Sequence, residues 1–127
     1  MNRQTRILVV DDSSTMRKII RNLLLEIGFS QIDEAGDGGL ALSKLRTGHF
    51  NLIISDWEMV RMSGLDLVQQ VRNDARLNSL PFIMVTAEAG AQKITAAKQA
   101  GVTNYVVKPF NAQTMRQKIE AAMGVLL

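Results

Sequence analysis

The chain has no cysteine. That removes disulfide scaffolds, thiolate metal centres and cysteine nucleophiles, and it suits a reducing compartment. Only two prolines occur in 127 residues, and no proline-rich linker or low-complexity stretch divides the chain. One Trp and one Tyr offer little surface on which nucleic-acid bases could stack. Fifteen Lys and Arg against twelve Asp and Glu give a net charge of +3, but the basic residues are scattered from Arg3 to Lys118, and the largest local group is Arg17, Lys18 and Arg21. That spread argues against a nucleic-acid face. No apolar run is long enough to span a membrane, and the opening MNRQTRILVVDD meets acidic residues too soon for a signal peptide. The expectation is a cytoplasmic monomer of one domain over residues 1–127, with no output domain and with neither nucleic acid nor membrane as a partner.

With 46% hydrophobic residues, the chain has material for one substantial core. Four runs are apolar without alternation and rich in β-branched residues: Ile7 to Val10, Leu52 to Ile54, Phe82 to Val85 and Tyr105 to Val107. Such runs suit strands buried on both faces. Gln31 to Glu34 is more polar and reads as an edge strand. Between them, Met16, Ile19, Ile20, Leu23, Leu24 and Ile27 recur at three- and four-residue steps on one helix face, with Ser13 or Ser14 to cap it and Gly28 to end it. Further helices are predicted over about 38–47, 64–73, 91–99 and 112–123. Five alternations of strand and helix with short connections imply right-handed crossovers. The fold class predicted is α/β, a flavodoxin-like (βα)5 three-layer sandwich whose five-stranded parallel sheet has the order 2-1-3-4-5.

In such sheets, ligands bind beyond the carboxyl ends of the strands. Asp11 and Asp12 follow the first strand, Asp56 the third, Thr86 the fourth and Lys108 the fifth. Each alone has an ordinary explanation in a strand-to-helix turn. Together they crowd carboxylates that repel by about 4 kcal/mol per pair at 4 Å in an effective dielectric near 20, so a positive charge belongs there. Oxygen ligands without His or Cys suit a hard ion, and few protein ligands with room for water and phosphate suit Mg²⁺ better than Ca²⁺. A metal, the Lys108 ammonium, the Thr86 hydroxyl and a spare carboxylate can together bind a phosphoryl group.

The stretches LVVDDSSTMRKII, SDW around Asp56, MVTAEA around Thr86 and NYVVKPF around Lys108 resemble the receiver domains of two-component signalling, most nearly the single-domain chemotaxis regulators. The resemblance covers essentially the whole chain. It implies that Asp56 accepts a phosphoryl group from a histidine kinase and that Asp11, Asp12, Asp56 and the backbone carbonyl of Glu58 hold Mg²⁺. It also implies that Lys108 binds a phosphoryl oxygen, that Thr86 moves toward the phosphoryl group and Tyr105 swings inward, and that the Lys108–Pro109 peptide is cis. A surface of helix 4, strand 5 and helix 5, with Ile94, Tyr105, Val107, Phe110 and Lys118, would then engage a flagellar motor switch protein. A phosphatase is a further expected partner, and the protein is expected to catalyse nothing beyond its own phosphorylation and dephosphorylation.

Departures from the family pattern qualify this. Val60 stands where receivers commonly have proline, which should make the loop more mobile and weaken Mg²⁺ binding, and Ser63 replaces a common acidic residue. Glu58 and Glu88 occupy positions that tune phosphoryl lifetime in receivers. Glu58 is expected to slow or redirect the attacking water, or to fold back onto Arg61 or Lys108; the plainer alternative is a solvated acid. Gly90 and Ala91 replace lysines common on motor-binding regulators. Alternative functions are a phosphorelay intermediate or phosphate sink and, more remotely, a haloacid dehalogenase-like phosphatase or a flavodoxin. The phosphatase reading meets a Glu in place of the second Asp of that motif and lacks room for a cap domain. In a flavodoxin, Asp11 and Asp12 would repel the FMN phosphate. His49, after a helix-ending Gly, reads as structural, and the seven methionines as adaptable core filler.

Overall fold

The computed structural model describes residues 4–88 and 90–127. Arg3, and Ala89 at the end of the MVTAEA stretch, lie outside the described residues. Strand and helix alternate as β1 (Arg6–Val10), α1 (Ser14–Ile27), β2 (Gln31–Ala35), α2 (Gly38–Thr47), β3 (Leu52–Asp56), α3 (Gly64–Arg72), β4 (Phe82–Thr86), α4 (Ala91–Ala100), β5 (Asn104–Val107) and α5 (Ala112–Met123). The sheet is parallel throughout, in the order β2-β1-β3-β4-β5. This is the flavodoxin-like arrangement expected from the alternation.

The apolar runs become strands because they are buried on both faces. Ile7, Val9, Ile54, Ile83, Val85 and Val106 pack with Ile20 and Leu24 of α1 and Met115 and Ile119 of α5. Leu8, Val10, Ile53, Phe82 and Met84 pack on the other face against α2 and α3, through Ala41, Leu42, Leu45, Leu67, Val68 and Val71. Side chains alternate between faces along each strand, so one continuous apolar run feeds two cores. The more polar β2 is indeed an edge, where only Ala35 is buried. Arg17 and Arg21 of α1 clamp its Glu34 at 3.0 and 2.7 Å, and Lys44 of α2 holds Asp33 at 3.0 Å.

Helix ends follow local chemistry. Ser13 accepts from the Met16 N–H at the start of α1. Ser63 and Asp66 form a reciprocal capping box on α3. Gly28, with φ 124°, donates its N–H to the carbonyls of Leu24 and Leu25, a conformation that favours glycine. The α4 helix is held less firmly: its N-cap Gly90 offers no side chain and Ala97 is its one fully buried residue.

Candidate functional site

Sheet register brings the candidate residues to one rim. Val10 pairs with Ser55, which places Asp11, just beyond β1, level with Asp56 at the end of β3. Asp56 pairs with Val85 and Thr86 with Val107, so Thr86 and Lys108 follow on the same side. Asp56 and Thr86 are the last residues of their strands rather than the first residues after them.

Asp11, Asp12 and Asp56 each offer an oxygen, all within 4.8 Å of one another. Asp11 is 1% exposed and Asp56 4%, a costly placement for carboxylates unless something pairs with them. The Asp11 Oδ1 accepts the Ser13 N–H at 2.9 Å, and Arg17 holds the Asp11 carbonyl at 2.7 Å. Among the described residues, no hydrogen-bond donor reaches the Asp11 Oδ2 or the Asp56 Oδ1. Lys108 Nζ lies 3.2 Å from Asp56 Oδ1, an ion pair whose angle falls short of a hydrogen bond. Burial pushes the Asp11 carboxyl above its ordinary range. The Ser13 N–H opposes this, Asp56 adds to it, Lys108 opposes it and Asp12 adds again.

Two orphaned buried oxygens in an oxygen-only cluster are what a hard divalent cation would satisfy, so the residues present fit Mg²⁺. An open depression beside Asp12 is lined also by Trp57, Glu58, Met59, Val60 and Ser63.

The flanking residues sit in a second group. The Thr86 hydroxyl, buried, donates to the Glu88 carbonyl and accepts its N–H, both at 3.2 Å. Glu58 turns neither to Arg61 nor to Lys108: it pairs with Lys93 of α4 at 2.8 Å. The Lys93 ammonium also sits 4.5 Å from the centre of the Trp57 ring. Sequence reasoning missed Lys93, because its partners lie 35 and 36 positions away and no spacing rule links them. Lys93, Ile94 and Ala97 of α4 enclose a small pocket with Trp57, Thr86, Glu88 and Tyr105.

Of the expected partner surface, Ile94 and Tyr105 share that pocket, and Lys118 of α5 covers the Tyr105 ring at 4.6 Å. Val107 is half-buried on β5. Phe110 packs in the other layer, beside Met16, Ile19, Lys108 and Pro109. The Lys108–Pro109 peptide is cis. His49 lies among Gln4, Thr5, Arg6, Asn51 and Met123, away from the acidic cluster.

A family model described as the response regulator receiver domain matches residues 7–120. The chain is 54% identical over 115 residues to the chemotaxis protein CheY of Pseudomonas aeruginosa, covering 91% of this chain and 93% of that one. It is 47% identical over 120 residues to the chemotaxis protein CheY-3 of Vibrio cholerae, covering 94% and 92%. Among solved structures, the chemotaxis protein CheY4 of Vibrio cholerae gives a TM-score of 0.87 at 33% identity, over 93% of this chain and 98% of that one. The response regulator TrrA of Thermotoga maritima, solved in complex with Mg²⁺ and BeF, gives 0.81 at 33% identity, over 92% and 97%.

Proposed function

Since the chain belongs to the response regulator receiver family, we propose that it is a phosphorylation-activated switch in which Asp56 takes a phosphoryl group from the phosphohistidine of a histidine kinase. The observation that carries this reading is the pair of orphaned, buried oxygens on Asp11 and Asp56, faced by the Lys108 ammonium. Asp11, Asp12, Asp56 and the Glu58 carbonyl would hold Mg²⁺, which supplies the positive charge that offsets the carboxylates and the incoming phosphoryl oxygens. An Asp56 carboxylate oxygen attacks phosphorus, the phosphorus–nitrogen bond breaks, and the imidazole leaves as a neutral base after taking a proton from solvent. Lys108 is already beside the carboxylate and steadies the transferred oxygens. Water later attacks the acyl phosphate and returns Asp56 with release of inorganic phosphate.

The switch follows from charge. An aspartyl phosphate adds negative charge and acceptor oxygens, so a Thr86 hydroxyl now spent on the Glu88 loop gains a stronger partner. Its movement opens space in the pocket it shares with Tyr105 and Ile94. The chemotaxis proteins to which the chain is 54% and 47% identical favour an output in chemotaxis. We assign the partner surface to Ile94, Tyr105, Val107, Phe110 and Lys118, with a motor switch protein as its occupant and a phosphatase to reset the site.

Trp57 fluorescence tests the reading. It should change on addition of Mg²⁺ and change again with acetyl phosphate, and Asp56→Asn should abolish the second change. Binding of a motor switch peptide should strengthen only in the phosphorylated wild type. An acetyl phosphate response that survives Asp56→Asn would refute Asp56 as the acceptor.

A further inference from the structure

Val60 is 71% exposed, so its side chain contributes little packing. Its backbone is engaged: the Val60 N–H donates to Asp12 Oδ2 at 3.2 Å. Among the described residues, no other hydrogen-bond donor reaches the Asp12 side chain. The Val60 carbonyl accepts the Met62 N–H at 2.9 Å, and Arg61 between them has φ 74°. That is a γ-turn of the strained, positive-φ kind, adopted here by a residue with a Cβ. On its far side the Met62 side chain fills the space over Gly38, where a Cβ would meet the Met62 Cβ at 3.0 Å. The loop is therefore folded into a specific shape, and that shape aims an N–H at the exposed carboxylate of the cluster.

We propose that residues 59–62 form a latch on the cation site, in which the Val60 N–H competes with a divalent cation for Asp12 and so sets the site's affinity. The proposal rests on the reading that Asp11, Asp12 and Asp56 hold Mg²⁺. An N–H bonded to a carboxylate oxygen occupies a lone pair and points the positive end of its dipole at the site, and both effects oppose a cation. A proline at this position could not form the latch, because it has no N–H. Val60 is thus a positioning residue that acts through its backbone on Asp12.

The test is a Mg²⁺ titration followed by Trp57 fluorescence and by calorimetry, with two variants expected to move in opposite directions. Val60→Pro removes the donor and should tighten Mg²⁺ binding about fivefold, the equivalent of one ordinary hydrogen bond. Arg61→Gly eases the positive φ, favours the latched turn and should weaken binding by roughly threefold. Hydrogen exchange gives a readout independent of both variants: the Val60 amide should be protected in the metal-free protein and should exchange faster with Mg²⁺. Wild-type Mg²⁺ binding accompanied by unchanged or weaker binding in Val60→Pro, tighter binding in Arg61→Gly, or a Val60 amide that gains protection would overturn the latch while leaving the cation site standing. Absence of any Mg²⁺ response in the wild type would overturn both.

Discussion

Burial holds the Asp11 carboxyl above the ordinary aspartate range, so the native fold binds its proton more readily than the unfolded chain does. The sign follows: this group's contribution to stability falls as pH rises through that range, and at neutral pH the ionised form is a net cost to the metal-free protein. Asp11→Asn should therefore raise the melting temperature in EDTA by several degrees, since 1 kcal/mol corresponds to roughly 4 °C in a chain of this size. The same substitution should remove the stabilisation that Mg²⁺ gives the wild type. Thermal unfolding of both proteins in EDTA and in Mg²⁺ measures the two effects together. A lower melting temperature in EDTA would mean that the Ser13 N–H bond to Asp11 outweighs the repulsion. The acidic cluster itself was legible in the sequence, because a charge ending an apolar run has few places to go except a strand's carboxyl end. The Val60 N–H on Asp12 and the Lys93 bridge to Glu58 were not. One depends on a backbone torsion at Arg61 and the other on how a loop meets a helix, and neither leaves a periodic trace.

Among the elements, β2 shows how an edge strand is kept in place by charge. Its Glu34 sits below the ordinary glutamate range: burial would raise it, but hydrogen bonds and charge from Arg21 and Arg17 prevail. Asp33 is lowered in the same way, with burial outweighed by Lys44 and the Glu34 N–H. Depressed carboxylates contribute stability that is present above their unfolded-state range and lost as pH falls through the folded one. Glu34→Gln should cost about 1 kcal/mol at pH 7 and flatten the loss of stability below about pH 4.5, as read from urea midpoints. The helices differ in what the sequence revealed. The α1 periodicity was plain and its cap and Gly28 stop were readable, whereas α4 mixes alanines with polar residues and has one fully buried residue. Its weak apolar face left its orientation to contacts made far along the chain.

At the scale of the molecule, the order of the sheet was predictable because parallel strands buried on both faces leave few topologies open. What that topology achieves is a division of labour. Asp11, Asp56, Thr86 and Lys108 stand at or just beyond the ends of strands whose register is set by two cores, so their backbone positions are fixed even where a side chain turns. In the proposed switch the responding element is α4, which has no side-chain cap at its start and is tied to the rim by Lys93, which reaches both Glu58 and Trp57. A helix held so lightly can be shifted by a local change of charge, because little buried surface must be given up for it to move. Native-state hydrogen exchange should therefore find the α4 amides the least protected of the five helices. Loading Asp56 with Mg²⁺ and beryllofluoride should change exchange in α4 and β5 several-fold while leaving α1 and α2 nearly unaltered. Asp56→Asn treated in the same way should show the metal-free pattern in α4. A uniform change across all five helices would mean that the charge stabilises the fold as a whole, and that α4 is not the element through which the rim speaks to the surface of Ile94, Tyr105 and Lys118.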